Sequence, residues 1–515
     1  MWGTTCLKAC FSEKKTMAEA SPESIQRLID NSEKGLKDIE MSTALIMETR
    51  QAVIDCIENR IESNVVLDLM LSVLDTLLAE NEVIYDLSAS FDALLKAKDD
   101  YTKRFYMQSL NLCFVEACQL FAGEKGDDNG LLTRLEGLTK QLNQAGCQLI
   151  ARHIIDDIQA FRKDYCDKDL RNITRHYDIP IKMYEKLLKL DNIEFFAKGV
   201  SQLMAIRMEV SVLSSYLLSL LAPSKKELSC AARNKKCGFD IRGILNDAIF
   251  KSLNKRNFRD EVQQTLAKGQ PSVDECYRLY NQCQAAVKYL EEKSCQIPDD
   301  FKKMLTLIQF RMETLFLRYD LACSLWGYLN ASTDKERSQN LRLVHITKQA
   351  ALTHIYGYTE RAREKSLWIA IKRIEESGSV QLKTESVEKK LVELTGNLDE
   401  DKENSQIFAH YRYKQDFYIP ARLEAFNKME HHKELMDTMK LLNICKVLEG
   451  YTVGLLSCID DKHKRERKKQ HDEWIEMIDG LVAKSGNDER VKESLKPMID
   501  LIEMVYGDNN KKLIN

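Results

Sequence analysis

Apolar residues recur along most of this chain at spacings of three and four, the period of a helix with one buried face. Ile54, Ile57, Ile61, Val65 and Leu69 form one such stripe, and Leu67, Leu71, Leu74 and Leu78 form another. No convincing run of alternating β-branched residues breaks the pattern. The expected fold class is all-α, built from long amphipathic helices. Ser21-Pro22-Glu23-Ser24 reads as a helix start, with Ser21 at the N-cap and proline in the first turn. Composition marks the connections. Residues 123–130 mix glycines with acids, 221–238 hold Pro223 and a lysine cluster, and 375–404 combine Ser-Gly-Ser with dense charge. The last reads as a connection that is partly disordered.

The pattern also repeats. Residues 85–100 read YDLSASFDALLKAKDD, and residues 319–334, 234 positions later, read YDLACSLWGYLNASTD. At the same offset Gly123 falls on Gly357, so a helix-ending glycine recurs. Ile179-Pro180 falls on Ile419-Pro420 at an offset of 240, and the six extra residues fit within 375–404, where an insertion costs little. Landmarks in the same order predict a duplication. The expected organisation is a flexible tail over 1–21, a first bundle over 22–222 and a linker over 223–271. A second bundle follows over 272–460, then a basic segment with C-terminal helices over 461–515.

Composition narrows the functional classes. The chain has 515 residues, long enough for two to four domains, and only 7 prolines and 20 glycines, which favours long uninterrupted elements. The formal net charge of −3 does not indicate a globally basic nucleic-acid binder. An RNA contact would need a local basic surface. The basic run over 462–469 reads first as a solvated helix face. The 15 cysteines form no CxxC pair, and with no visible secretory signal they read as reduced thiols in a cytoplasmic protein. Neither a structural metal nor a disulfide is expected. Met17 can equally be the natural start. The longest apolar stretch, 210–222, has 13 residues, which suits a buried helix better than a membrane span. No phosphate-binding glycine loop, HExxH or GxSxG occurs. His431-His432 reads as an exposed helix face, because tandem histidines point in different directions on a helix.

The most suggestive chemistry lies in residues 169–180, DLRNITRHYDIP. Arg171 and His176 have four residues between them, and the polar Asn172 follows the arginine. An aromatic, basic helix starting at Lys103-Arg104 precedes the segment, and a long apolar helix from Phe195 to Leu221 follows it. This combination resembles the Arg-polar-x(3)-His signature of HEPN domains, over about residues 60–222. The resemblance implies a metal-independent endoribonuclease of the toxin or defence kind, working without a cofactor. HEPN nucleases usually act as dimers in which two such pairs face one cleft. At the offset of 240, however, Tyr411 stands at the arginine position and Asp416 at the histidine position, so the second copy looks degenerate. Arg412 is adjacent, and His410 lies one position before the arginine site.

The chemistry follows from the residue types. RNA cleavage through its own 2′-hydroxyl needs a base, which His176 can supply near neutral pH. It also needs a cation on the phosphate, and Arg171 offers a planar fork of donors. Asn172 can position a phosphate or the hydroxyl. Asp178 can orient an imidazole or cap the helix containing Pro180. Lys103, Arg104, Arg175, Tyr411 and Arg412 are the further candidates for RNA contact. The expected partners are RNA and an antitoxin or regulatory protein, with no membrane, and the expected assembly is a homodimer or an intramolecular pseudo-dimer. The alternative is a non-catalytic helical scaffold or a nucleotide- or RNA-binding module, in which Arg171 and His176 bind a nucleotide or merely cap helices. Convergence of the pair on an open cleft separates the enzyme from the scaffold. So does burial of either residue against a carboxylate, with the opposite sign. Residues five apart on a regular helix differ by about 140° in direction, so convergence needs a helix break between them.

Overall fold

The computed structural model describes residues 43–59, 65–123, 129–173, 180–221, 258–292, 299–357, 363–376, 384–395, 398–413 and 416–484, with single positions at 489 and 496. The expected tail, the Ser21 cap and most of the expected linker lie outside the described residues. The described residues are almost wholly helical, as the periodicity predicts. They contain two short strands, β1 (Arg412–Tyr413) and β2 (Asp416–Phe417), paired antiparallel with Arg412 opposite Phe417.

In chain order the N-terminal helices are α1 (43–58), α2 (Val65–Lys96), α3 (Asp100–Ala122), α4 (Leu131–Gln141) and α5 (Ala145–Tyr165). They continue with α6 (Lys168–Ile173), α7 (Pro180–Leu188) and α8 (Ile193–Leu221). The C-terminal helices are α9 (Phe258–Ala267), α10 (Gly269–Glu292), α11 (Asp299–Asn330), α12 (Asp334–Ile355) and α13 (Leu367–Glu376). After these come α14 (Glu385–Leu394), α15 (Leu398–Ala409), α16 (Ile419–Lys428) and α17 (His431–Lys484).

The stripe from Ile54 to Leu69 falls on α1 and α2, and its Ile61 lies outside the described residues; at the end of α1 the Asn59 backbone N–H and side-chain amide both donate to the Asp55 carbonyl. One sequence expectation needs correction. The charged segment 375–404 is not a bare connection. It holds α14 and the start of α15, because Val387 and Leu391 are spaced to bury one face of a short amphipathic helix.

The chain forms two compact units. The larger comprises residues 1–277, 312–370 and 383–446, and the smaller 278–311, 371–382 and 447–515. In the smaller unit the buried residues include Leu307, Ile308, Ile371, Leu455 and Ile478, and the Gln309 amide reaches the Tyr280 hydroxyl at 3.5 Å. Arg465, Lys468 and Lys469 of the basic run are exposed on α17.

In the larger unit, α8 packs against α2 and α5, and α3 packs against α2 and α5. Phe114, Phe161 and Phe196 fill the space between α3, α5 and α8, with ring centroids 5.3 and 6.2 Å from Phe114. Helix α8 has 29 residues, more than the 13-residue apolar stretch implied. It and residues 431–458 of α17 are each long and apolar enough to cross a membrane, at mean hydropathies of 1.4 and 1.2. One face of α8 is buried in the bundle, through Phe196, Val200, Leu203, Ile206 and Val210.

Local structure recurs at the spacing of the sequence landmarks. Helices α2 and α11 each have 32 residues, with both limits displaced by 234. Asp99 caps α3 by accepting from the Thr102 N–H, and Thr333, 234 later, caps α12 in a capping box with Glu336. Gly123 and Gly357 close these helices, each at φ 74°, a left-handed value that favours glycine.

The core of the larger unit contains charge. Asp86 and Glu82 on α2 are fully buried, as is Arg422 on α16. Asp86 pairs with Arg422 and, at 3.0 Å, with Arg342 of α12, and it accepts the Tyr411 hydroxyl. Glu82 lies 3.4 Å from Arg422 Nε and accepts from Gln339 of α12. Burial works against the Arg422 charge, but Asp86 and Glu82 outweigh it and push its pKa up. The repeat partner of Asp86, Asp320 on α11, is also buried and accepts the Tyr101 hydroxyl at 2.9 Å. A second charged cluster joins α12 to α17. Glu434 lies 2.7 Å from Lys348 Nζ and 3.0 Å from His345 Nδ1, all three being buried. His431, expected on an exposed face, is buried, with Nδ1 3.3 Å from the Tyr328 hydroxyl.

Two predictions follow from these clusters. Arg422→Ala removes the cation that Asp86 and Glu82 share and leaves Asp86 to Arg342 and Tyr411, so it lowers the unfolding free energy by about 3 kcal/mol in guanidinium titration. Glu434 titrates low: burial raises its pKa, but Lys348 and His345 outweigh burial and hold it at about 2, well below the ordinary glutamate range. A carboxyl group with a depressed folded pKa stabilises the fold above its unfolded pKa. That stability is lost as pH falls through the folded value. Acid titration of the wild type therefore loses about 3 kcal/mol more between pH 4.5 and pH 2 than Glu434→Gln does.

Candidate functional site

Arg171 is positioned by its helix start. Asp167 is the N-cap of α6, and its carboxylate accepts the Leu170 N–H at 2.8 Å. The Asn111 side chain on α3 clamps Asp167 from both sides. Its amide donates to the Asp167 carbonyl and its oxygen accepts the Asp167 N–H, each at 2.9 Å. The short helix is thereby held against α3, and Arg171 meets Glu116.

The resulting cluster has three members. Arg171 Nη2 lies 2.5 Å from Glu116 Oε1. His410 Nδ1 lies 3.3 Å from both Glu116 oxygens and 3.5 Å from Arg171 Nη2. Glu116 is 4% exposed, Arg171 20% and His410 26%, so the carboxylate forms the floor and the two basic side chains the partly open edge. A proton on His410 Nδ1 lets Glu116 accept from both neighbours. His410 is held just past α15, its N–H donating to the Gln406 carbonyl, and the chain then runs into the buried Tyr411.

The other candidates from the sequence are dispersed. Arg175 and His176 lie outside the described residues, as does Asp178, so the structure brings Arg171 to Glu116 and His410 and says nothing of His176. Asn172 lies in α6 and Arg412 in β1. Tyr411 is buried, with its hydroxyl on Asp86. Lys103 sits 3.3 Å from Asp100 on an exposed face. Arg104 donates to Gln270 at 2.6 Å, and Gln270 in turn contacts Tyr184 and Asp274.

Glu116 was missed by sequence reasoning, although a signal existed. It is the one charged residue inside a mostly apolar run, LNLCFVEACQLF, where a carboxylate must find a cation if it faces inward. His410 was considered only for the register of the repeat, in which it stands one position off. Among the described residues no group of three or more His, Cys, Asp or Glu side chains is arranged to hold a metal ion. Compared with protein-family models, curated proteins and solved structures, this chain matches none.

Proposed function

We propose that this chain acts as a non-catalytic helical interaction scaffold, in which Arg171 is a structural ion-pair partner. The contact of Arg171 with Glu116 at 2.5 Å carries this reading. A guanidinium that binds a phosphate turns its donors to that ligand. Here a donor of that fork is turned to a nearly buried carboxylate, whose charge offsets that of the arginine. In the same reading the chain arose by duplication of one helical bundle. The matched limits of α2 and α11, the paired caps and the matching glycines support this. So does the way Asp86 and Asp320 each accept a bond from the other half of the chain.

A different observation favours the metal-independent endoribonuclease of HEPN type. Arg171 and His410 come together at a partly open edge, one from each half of the chain. An imidazole and a guanidinium side by side are the groups that cleavage through a 2′-hydroxyl requires. In this second reading His176 or His410 is the base and Arg171 the phosphate cation.

One set of variants separates the two. In the scaffold reading, Arg171→Ala lowers the unfolding free energy by about 2 kcal/mol, less than a fully buried pair because the arginine is partly exposed. Adding Glu116→Gln recovers much of that loss, because no charge is then left stranded. Mixed RNA incubated with the protein in EDTA stays intact. RNA cleavage in EDTA that Arg171→Ala and either His176→Ala or His410→Ala abolish, in protein that remains folded, overturns the scaffold and assigns the site to RNA.

A further inference from the structure

Two of the cysteines face each other. Cys118 on α3 and Cys166 just after α5 have sulfurs 3.7 Å apart. A disulfide holds its sulfurs about 2.05 Å apart, so closure needs an approach of about 1.7 Å. Cys166 is able to make it. It is the C-cap of α5, with extended backbone at φ −97° and ψ 116°, outside the rigid body of either helix. Cys118 is buried inside α3, whereas Cys166 is only partly buried.

We propose that Cys118 and Cys166 are a peroxide-responsive dithiol, closing reversibly to a disulfide that ties α3 to the segment entering α6. The exposure difference sets the order of events. A small hydroperoxide reaches the partly buried Cys166 more readily than a bulky disulfide does. The Cys166 thiolate attacks one peroxide oxygen, the S–O bond forms and the O–O bond breaks, and the other oxygen leaves protonated, as an alcohol or water. Cys166 is then a sulfenic acid. The Cys118 sulfur attacks the Cys166 sulfur, the S–S bond forms and the S–O bond breaks. The hydroxide leaves as water with the Cys118 proton. Two thiols lose two electrons and one peroxide gains them. Cys118 is suited to the second step only. Burial pushes its thiol pKa well up, and Arg162, which donates to the Cys118 and Gly123 carbonyls, offsets only part of this.

The bond joins the same two elements as the Arg171–Glu116 pair. Glu116 lies two residues before Cys118 on α3, and Asp167, the cap of α6, directly follows Cys166. Oxidation therefore fastens α6 against α3 covalently, where at present an amide clamp and an ion pair hold it. This holds whether or not the site cleaves RNA.

The test uses reduced full-length protein and near-stoichiometric hydrogen peroxide, read by differential alkylation and peptide mass spectrometry. The expected result is loss of two free thiols per chain and a cross-linked peptide pair containing positions 118 and 166, reversed by dithiothreitol. Amide hydrogen exchange over 168–173 slows by at least about threefold in the oxidised protein. In Cys118→Ser, the sulfenic acid at Cys166 persists and is captured by dimedone. The wild type needs no variant to fail. If Cys118 and Cys166 stay open to alkylation in unfolded samples while the exposed Cys56 and Cys458 oxidise, the proposal is overturned. A persistent Cys166 sulfenic acid in the wild type, or pairing of either sulfur with another cysteine, overturns it too. A correct disulfide with unchanged exchange over 168–173 overturns the link to α6.

Discussion

The carboxylate of Asp86 is the constraint around which the larger unit is arranged. It lies on α2, inside the core, where an unpaired charge would cost several kcal/mol. Its partners must therefore arrive with the fold. Arg342 comes from α12, Arg422 from α16, and Tyr411 from the turn between α15 and β1. With Glu82 alongside, two carboxylates meet two guanidiniums, so the buried group is neutral as a whole. An apolar core would accept several registers of helix against helix, whereas this group accepts one. The Arg422 guanidinium also lies over the Tyr411 ring at 4.9 Å, which fixes the turn beside it.

That turn connects the core to the candidate site. Tyr411 is locked on Asp86, and His410 precedes it directly, so the position of His410 beside Glu116 follows from the buried network. From the other side, Asn111 fixes Asp167, and Asp167 starts the helix that carries Arg171. The site is the meeting point of two separately anchored segments, and Glu116 is the acceptor they share. Cys118 and Cys166 lie on the same two segments, Cys118 two residues after Glu116 and Cys166 directly before Asp167.

Parts of this site were visible in the amino-acid order. Arg171 stood out by its motif, and the neighbourhood of Tyr411 by the repeat. The partners were not legible, for a physical reason. A salt bridge between positions 116 and 171, or a contact between 171 and 410, depends on where helices cross, and crossing is set by side chains far from either residue. Register in the repeat placed Tyr411 opposite Arg171. The fold instead turned Tyr411 inward to satisfy Asp86 and left the preceding histidine at the surface edge.

The sequence by itself determined the helical class, the helix-ending glycines and the 234-residue recurrence. Each of these rests on interactions within a few residues of the chain, or on a comparison of one segment with another. Tertiary structure alone decided which charges are buried together and how Arg171 is used. It also made helices of residues that composition marks as a connection, because an amphipathic face over 385–394 found a surface to cover. Local propensity is written in adjacent residues. The pairing of buried charges is written only in the packing, because the cost of each charge is removed by a partner hundreds of positions away.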